Sequence, residues 1–160
     1  MNRKSLFLLV IVLLFSSAAL TAQVRMTKPN DFSLELGGKC LLYSLSYQRT
    51  LSPNFGLEVG ASLIGGATGG DSATVFFLSG GGRLYLLKKD TSPYISGGLV
   101  WLSAGSNAGP FDNAASGVYF YASPGFEFRS AGGFMFRAGV YFLIKDGFFV
   151  WPGISLGVGF

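Results

Sequence analysis

The stretch Gly153-Ile154-Ser155-Leu156-Gly157-Val158-Gly159-Phe160 decides the fold. Strand side chains alternate between two faces, so Ile154, Leu156, Val158 and Phe160 share one face and Gly153, Ser155, Gly157 and Gly159 the other. In a water-soluble sheet the face opposite the core carries charge. Here the second face has neither charge nor bulk, a pattern suited to the crowded lumen of a small barrel whose outside is lipid.

The same alternation recurs upstream. It predicts eight strands, at 31–37, 41–50, 55–64, 74–87, 94–103, 117–129, 133–144 and 150–160. Leu41, Tyr43, Leu45 and Tyr47 are expected to face outward, as are Phe55, Leu57, Val59, Ala61 and Leu63. The same holds for Val118, Phe120, Ala122, Pro124, Phe126 and Phe128, and for Phe134, Phe136, Ala138, Val140 and Phe142. The residues between them, Leu42 included, are expected to face the lumen. Connectors 51–54, 88–93 and 130–132 are short and turn-like, whereas 65–73 and 104–116 are longer and rich in Gly, Ala, Ser and Asn. Asp146-Gly147 carries the hairpin signal. Gly38-Lys39-Cys40 is so tight that residues 31–50 could form one bent strand or two, and the even strand count of bacterial single-chain barrels favours two. The expected class is an all-β, transmembrane antiparallel up-and-down β-barrel. Its short turns would lie in the periplasm with both termini, and its longer loops outside.

Composition agrees. Charged residues are 12% of the chain, against about 25% in an ordinary soluble domain, while aromatics reach 16% with 16 Phe, and Gly numbers 24. No later stretch has the roughly 20 apolar residues of a spanning helix. A membrane protein without such a helix must close its sheet, because hydrocarbon cannot satisfy an open edge.

At the other end, Asn2-Arg3-Lys4, an apolar run over 6–15 and the small residues of 16–22 read as a secretory signal peptide. Cleavage is expected after Ala22, with Ala19 as the alternative, and the apolar run is too short for a membrane anchor. The chain thus divides into a signal peptide at 1–22, a short tail at 23–30 and a barrel domain at 31–160. Losing Arg3 and Lys4 leaves 10 of the 12 basic residues against 8 acidic ones. That balance gives no electrostatic case for nucleic acid. Cys40 is the one cysteine, so no internal disulfide exists, and space-filling near a strand start is its expected role.

Phase places Glu35, Glu58 and Glu127 on the lumen face with Arg83, Arg129 and Arg137. An unpaired buried charge costs several kcal/mol, so these six are expected to pair as a structural network. Arg on the lipid face would cost about 2–4 kcal/mol at the midplane. Arg49, in phase with Tyr43 and Tyr47, is the exception, and its strand-end position allows it to reach the headgroups. Tyr47, Trp101 and Phe160 read as interface aromatics.

Enzyme chemistry finds little purchase. The chain has no histidine, which removes Ser–His and Cys–His arrangements and histidine-bearing metal sites. Glu35 and Glu58 could form an acid–base pair, but nothing separates them from the lumen network. Gly65-Gly66 and Gly80-Gly81-Gly82 lack the Lys–Ser/Thr of a phosphate loop and read as strand kinks or loop residues. No catalytic, cofactor-binding or metal-binding residue is therefore assigned.

The chain resembles the small eight-stranded outer-membrane barrels of Gram-negative bacteria, the group that includes OmpA-like and OmpX-like domains. The alternating residues up to a terminal Phe160 are similar to the C-terminal signal read by the barrel-assembly machinery. The stretch from Leu41 to Arg49, followed by Ser52-Pro53-Asn54-Phe55-Gly56-Leu57, is similar to barrels of Bacteroidetes-type bacteria. The resemblance implies residence in the outer membrane, with lipid as surroundings and Ile154, Leu156, Val158 and Phe160 as the assembly signal. It implies no activity. The expected function is a porin-like barrel of structural or surface-interaction type, with a plugged, charge-paired lumen, no catalysis and an unassigned surface partner. The alternative is a narrow channel or transporter for small or hydrophobic solutes, opening sideways near Gly80–Gly82.

Overall fold

The computed structural model describes residues 24–68, 71–106 and 115–160. The signal-peptide reading of 1–22 and residues 107–114 of the connector read at 104–116 fall outside the described residues.

A turn of helix, α1 (Val24–Thr27), leads into β1 (Asn30–Gly37), a single 3-10 turn (Gly38–Cys40), β2 (Tyr43–Ser52), β3 (Phe55–Thr68) and β4 (Asp71–Tyr85). Then follow β5 (Thr91–Ser106), β6 (Ala115–Arg129), β7 (Phe134–Ile144) and β8 (Phe148–Gly159). Each strand pairs antiparallel with its sequence neighbours, and β1 pairs with β8, so the sheet closes in sequence order. Closure leaves no unpaired edge. At the seam Asn30 and Phe160 exchange backbone hydrogen bonds of 3.2 and 2.8 Å. Residues 31–50 are thus two strands, not one. Chain entry, chain exit and the turns after β2, β4 and β6 lie at one end, termed the near end.

Alternation explains the burial. Phe32, Leu34, Leu36, Leu45, Leu57, Val59, Leu63, Phe120 and Leu156 are exposed, while their chain neighbours Ser33, Glu35, Ser46, Glu58, Tyr121 and Ser155 are buried. Arg49 is exposed, as its phase requires. The phase fails at one point, where Leu42 is exposed and Leu41 packs inward. Leu41 has φ of 71°, a left-handed conformation that breaks the strand's period of two.

Two other expectations are corrected. Of the connector read at 65–73, residues 65–68 and 71–73 are strand: Gly65 pairs with Thr74, Gly66 with Ala73, Ala67 with Ser72 and Thr68 with Asp71. Their composition carries a loop signal, but the ladder continues through them because β5 rises alongside and pairs Ser106 with Ala73. Gly80, Gly81 and Gly82 pair on both sides with no shift of register, so neither glycine run is a kink or loop and no opening lies there. The ladder breaks instead between β6 and β7, where Ser123 and Pro124 are skipped and the register resumes unchanged at Gly125. Pro124 has no N–H to give that ladder.

Strand lengths differ around the barrel, from 16 residues in β5 to 8 in β1, with 11 in β7. At the far end the wall is therefore tall at β3–β6 and low from β7 and β8 round to β1 and β2.

Candidate functional site: the lumen

The lumen has two zones. In the near half the groups are ionic. Arg137 Nε lies 2.6 Å from Glu127 Oε2, and its Nη2 lies 2.9 Å from Asp31 Oδ2. Arg129 spans the same two carboxylates, at 2.8 Å from Glu127 Oε1 and 2.5 Å from Asp31 Oδ2. Arg83 lies 2.6 Å from Glu58 and also donates to Gln48, whose amide donates in turn to the Tyr85 hydroxyl at 2.7 Å. Tyr85 donates to Glu127 at 2.8 Å. All of these charged groups are buried, and each is paired, as burial demands. Further along, Tyr121 donates to Glu58 at 2.9 Å and Tyr141 to Glu35 at 2.9 Å.

Each mouth sends in one cation from outside the strands. At the near end Arg25 of α1 lies 3.2 Å from Glu127, donates to the carbonyls of Pro53, Leu87 and Lys89, and stacks over the Tyr85 ring at 3.6 Å. Lys28 adds a bond to Gly132 O at 2.8 Å. This one segment therefore ties together the turns after β2, β4 and β6. At the far end the 3-10 turn folds inward. Lys39 Nζ lies 3.0 Å from Glu35 and 3.4 Å from Glu58, and the Tyr119 hydroxyl donates to Lys39 O. Burial works against the Lys39 ammonium, but Glu58 and Glu35 outweigh it and hold its pKa above the ordinary lysine range.

Beyond the charges the far half is apolar. Cys40, Phe77, Val100, Tyr119, Tyr121, Tyr141 and Leu143 form one cluster, with Leu41, Ile64, Val75 and Leu102 packed on it. Burial raises the Cys40 thiol to about 11, against a smaller pull from Lys39. Such a thiol is a packing group and not a nucleophile.

Glycines make room for the aromatic rings. A Cβ on Gly125 would stand 2.4 Å from the Tyr94 ring, one on Gly153 2.6 Å from Tyr141, and one on Gly81 2.2 Å from the Tyr121 hydroxyl. The sequence shows these glycines as an absence of bulk; the structure shows each as the socket of a tyrosine.

Of the six charged residues placed in the lumen from sequence, Arg83, Glu58, Glu127, Arg129 and Arg137 lie in the pairs above. Glu35 meets Lys39 instead of an arginine. Asp31, Lys39 and Arg25 escaped the reading. Asp31 shares the phase of Ser33 and Glu35 and was legible, whereas Lys39 and Arg25 stand in a turn and a tail, where alternation gives no phase. Among the described residues no group of three His, Cys, Asp or Glu is placed to hold a metal ion.

With this geometry in place, comparison with solved structures fixes the architecture. The N-terminal β-barrel domain of Pseudomonas aeruginosa OprF is similar over 82% of this chain and 95% of its own, with a TM-score of 0.60 and 14% identity. The fold is that of the small eight-stranded outer-membrane barrels. Ail, the attachment invasion locus protein of Yersinia pestis, is similar over 81% of this chain and 91% of its own, with a TM-score of 0.45 and 13% identity. No family model and no curated protein matches the chain.

Proposed function

We propose that this chain is an integral outer-membrane barrel of structural or surface-interaction type, with a closed lumen and no catalytic role. The observation that carries the reading is the unbroken run of buried pairs from Asp31 and Arg25 through Glu127, Arg83 and Glu58 to Lys39 and Glu35, with an apolar cluster beyond it. Eight strands give an interior that side chains can fill, and Arg25 and Lys39 occupy its two mouths. The belt of exposed Leu, Val, Ile and Phe around the outside supports lipid as its surroundings, since a soluble surface rarely carries so wide an apolar area. On this reading the near end is periplasmic and 1–22 is an export signal. Ile154, Leu156, Val158 and Phe160 form the face read by the barrel-assembly machinery.

Planar-bilayer recording tests it. The refolded chain is expected to insert without unitary conductance. Reproducible single-channel steps altered by Glu58→Gln or Arg137→Gln would overturn the closed lumen and favour a channel.

A further inference from the structure

At the far end the low β7–β8 hairpin leaves a saddle in the barrel wall. The last β6–β7 pair is Phe120 with Ile144, yet β6 continues upward from there to Ala115 with no partner on that side. Over the saddle lies an open pocket of about 400 Å³. Its inner wall is Leu41, Tyr119 and Leu143, residues of the lumen side. Its outer wall is Ile144 and Phe148, which face away from the lumen. The pocket thus runs from the outer surface, across the rim, to the mouth of the apolar half.

Three features shape it. Leu41 is turned into the pocket by its left-handed backbone, and Tyr119 spends its hydroxyl on Lys39 O and offers only its ring. Phe148 stacks on Phe142 and Phe149 on Trp151, both at 5.5 Å, which holds the aromatic wall in place. At the rim Lys145 lies over Gly117, where a Cβ would stand 3.1 Å from Nζ. Among the described residues no carboxylate pairs with Lys145. An apolar trough open to the lipid-facing surface and ending at the Lys145 ammonium matches an amphiphile with an anionic head.

We propose that the saddle binds one acyl chain of an anionic lipid from the surrounding leaflet, with the lipid phosphate against Lys145 Nζ. The inference rests on the membrane reading above. The chain lies between Phe148 and Ile144 outside and Leu41, Tyr119 and Leu143 inside, where it gains apolar burial. The head gains a charge-assisted contact at the headgroup level.

Trp151 reports on this site, because its ring stacks on Phe149 and its indole N–H donates to Leu41 O at 2.7 Å. A Trp101→Phe chain keeps Trp151 as its single tryptophan. It would be reconstituted in phosphatidylcholine vesicles containing a small fraction of either brominated phosphatidic acid or brominated phosphatidylcholine. Phosphatidic acid is expected to quench Trp151 more strongly than its mole fraction predicts, and to saturate. Lys145→Glu should abolish that excess and Lys145→Arg should keep it. Equal quenching by the two lipids, or an excess untouched by Lys145→Glu, overturns the site while leaving the barrel in its membrane. A chain that fails to float with the vesicles overturns the membrane reading and the site together.

Discussion

The Arg25 guanidinium lies 3.2 Å from the Glu127 carboxylate, across 102 residues of sequence. A residue that precedes the first strand therefore belongs to the interior of the sixth. Arg25→Ala removes this contact and three carbonyl partners, but Glu127 keeps Arg129 and Arg137. The expected loss is about 1–3 kcal/mol, read as a lower temperature for the gel-mobility change of the folded barrel in SDS. An unchanged temperature would mean that α1 merely rests against the mouth.

Glu127 is the hub. Arg25, Arg129 and Arg137 converge on it, with Arg83 at 4.0 Å and Tyr85 at 2.8 Å. Glu127→Gln strips the shared counter-charge from buried guanidinium groups and should cost about 3–5 kcal/mol, measured by urea unfolding in detergent micelles. The double variant with Arg137→Gln should fall well short of the summed single losses. Additive losses would argue that the pairs act independently.

The glycines separate into two kinds. Gly125→Ala forces a Cβ to within 2.4 Å of Tyr94 and 2.7 Å of Ala138 O, and should cost about 1–3 kcal/mol of overpacking. Gly80→Ala meets nothing within 4 Å, and should be neutral or stabilise by up to about 1 kcal/mol through the unfolded chain. Urea unfolding of both variants checks the contrast, and equal effects would sink it.

Cys40 should resist modification. Its thiol is fully buried and raised to about 11, so a maleimide added to the folded chain at neutral pH should leave it unlabelled. Boiling in SDS should release one reactive thiol per chain, counted by mass. Rapid labelling of the folded chain would show that the 3-10 turn swings out of the mouth.

Phe160 stacks on Phe32 at 5.8 Å, beside its backbone pairing with Asn30 at the β1–β8 seam. Phe160→Ala should lower the folded fraction in cells, through the assembly machinery, more than it lowers refolding from urea into micelles. Equal losses in both settings would make Phe160 a packing residue only.

Strand phase was legible because alternation with period two is written directly in residues such as those of β3 and β8, and a charge can occupy only one face. The loss of phase at Leu41 was not legible, since it depends on a backbone angle that no residue type there announces. Residues 65–73 read as loop because Gly, Ala and Ser carry no strand signal of their own. Partner strands, not local preference, hold 65–68 and 71–73 extended. The lumen was half visible. Charges on strands could be phased, whereas Lys39 and Arg25 reach inward from segments where tertiary structure alone sets direction. The apolar far half was hidden because Val75, Phe77, Val100 and Leu102 look the same on either side of a wall.

The burial of every member of the ionic network has a consequence for the medium outside. Counter-ions weaken charge pairs that they can approach, over about 8 Å at physiological ionic strength, but Asp31, Glu58, Glu127 and their arginines are sealed among rings and backbone. Their attraction is therefore indifferent to salinity. A cell moving from dilute to briny surroundings would change the potential around this barrel without loosening what holds it together.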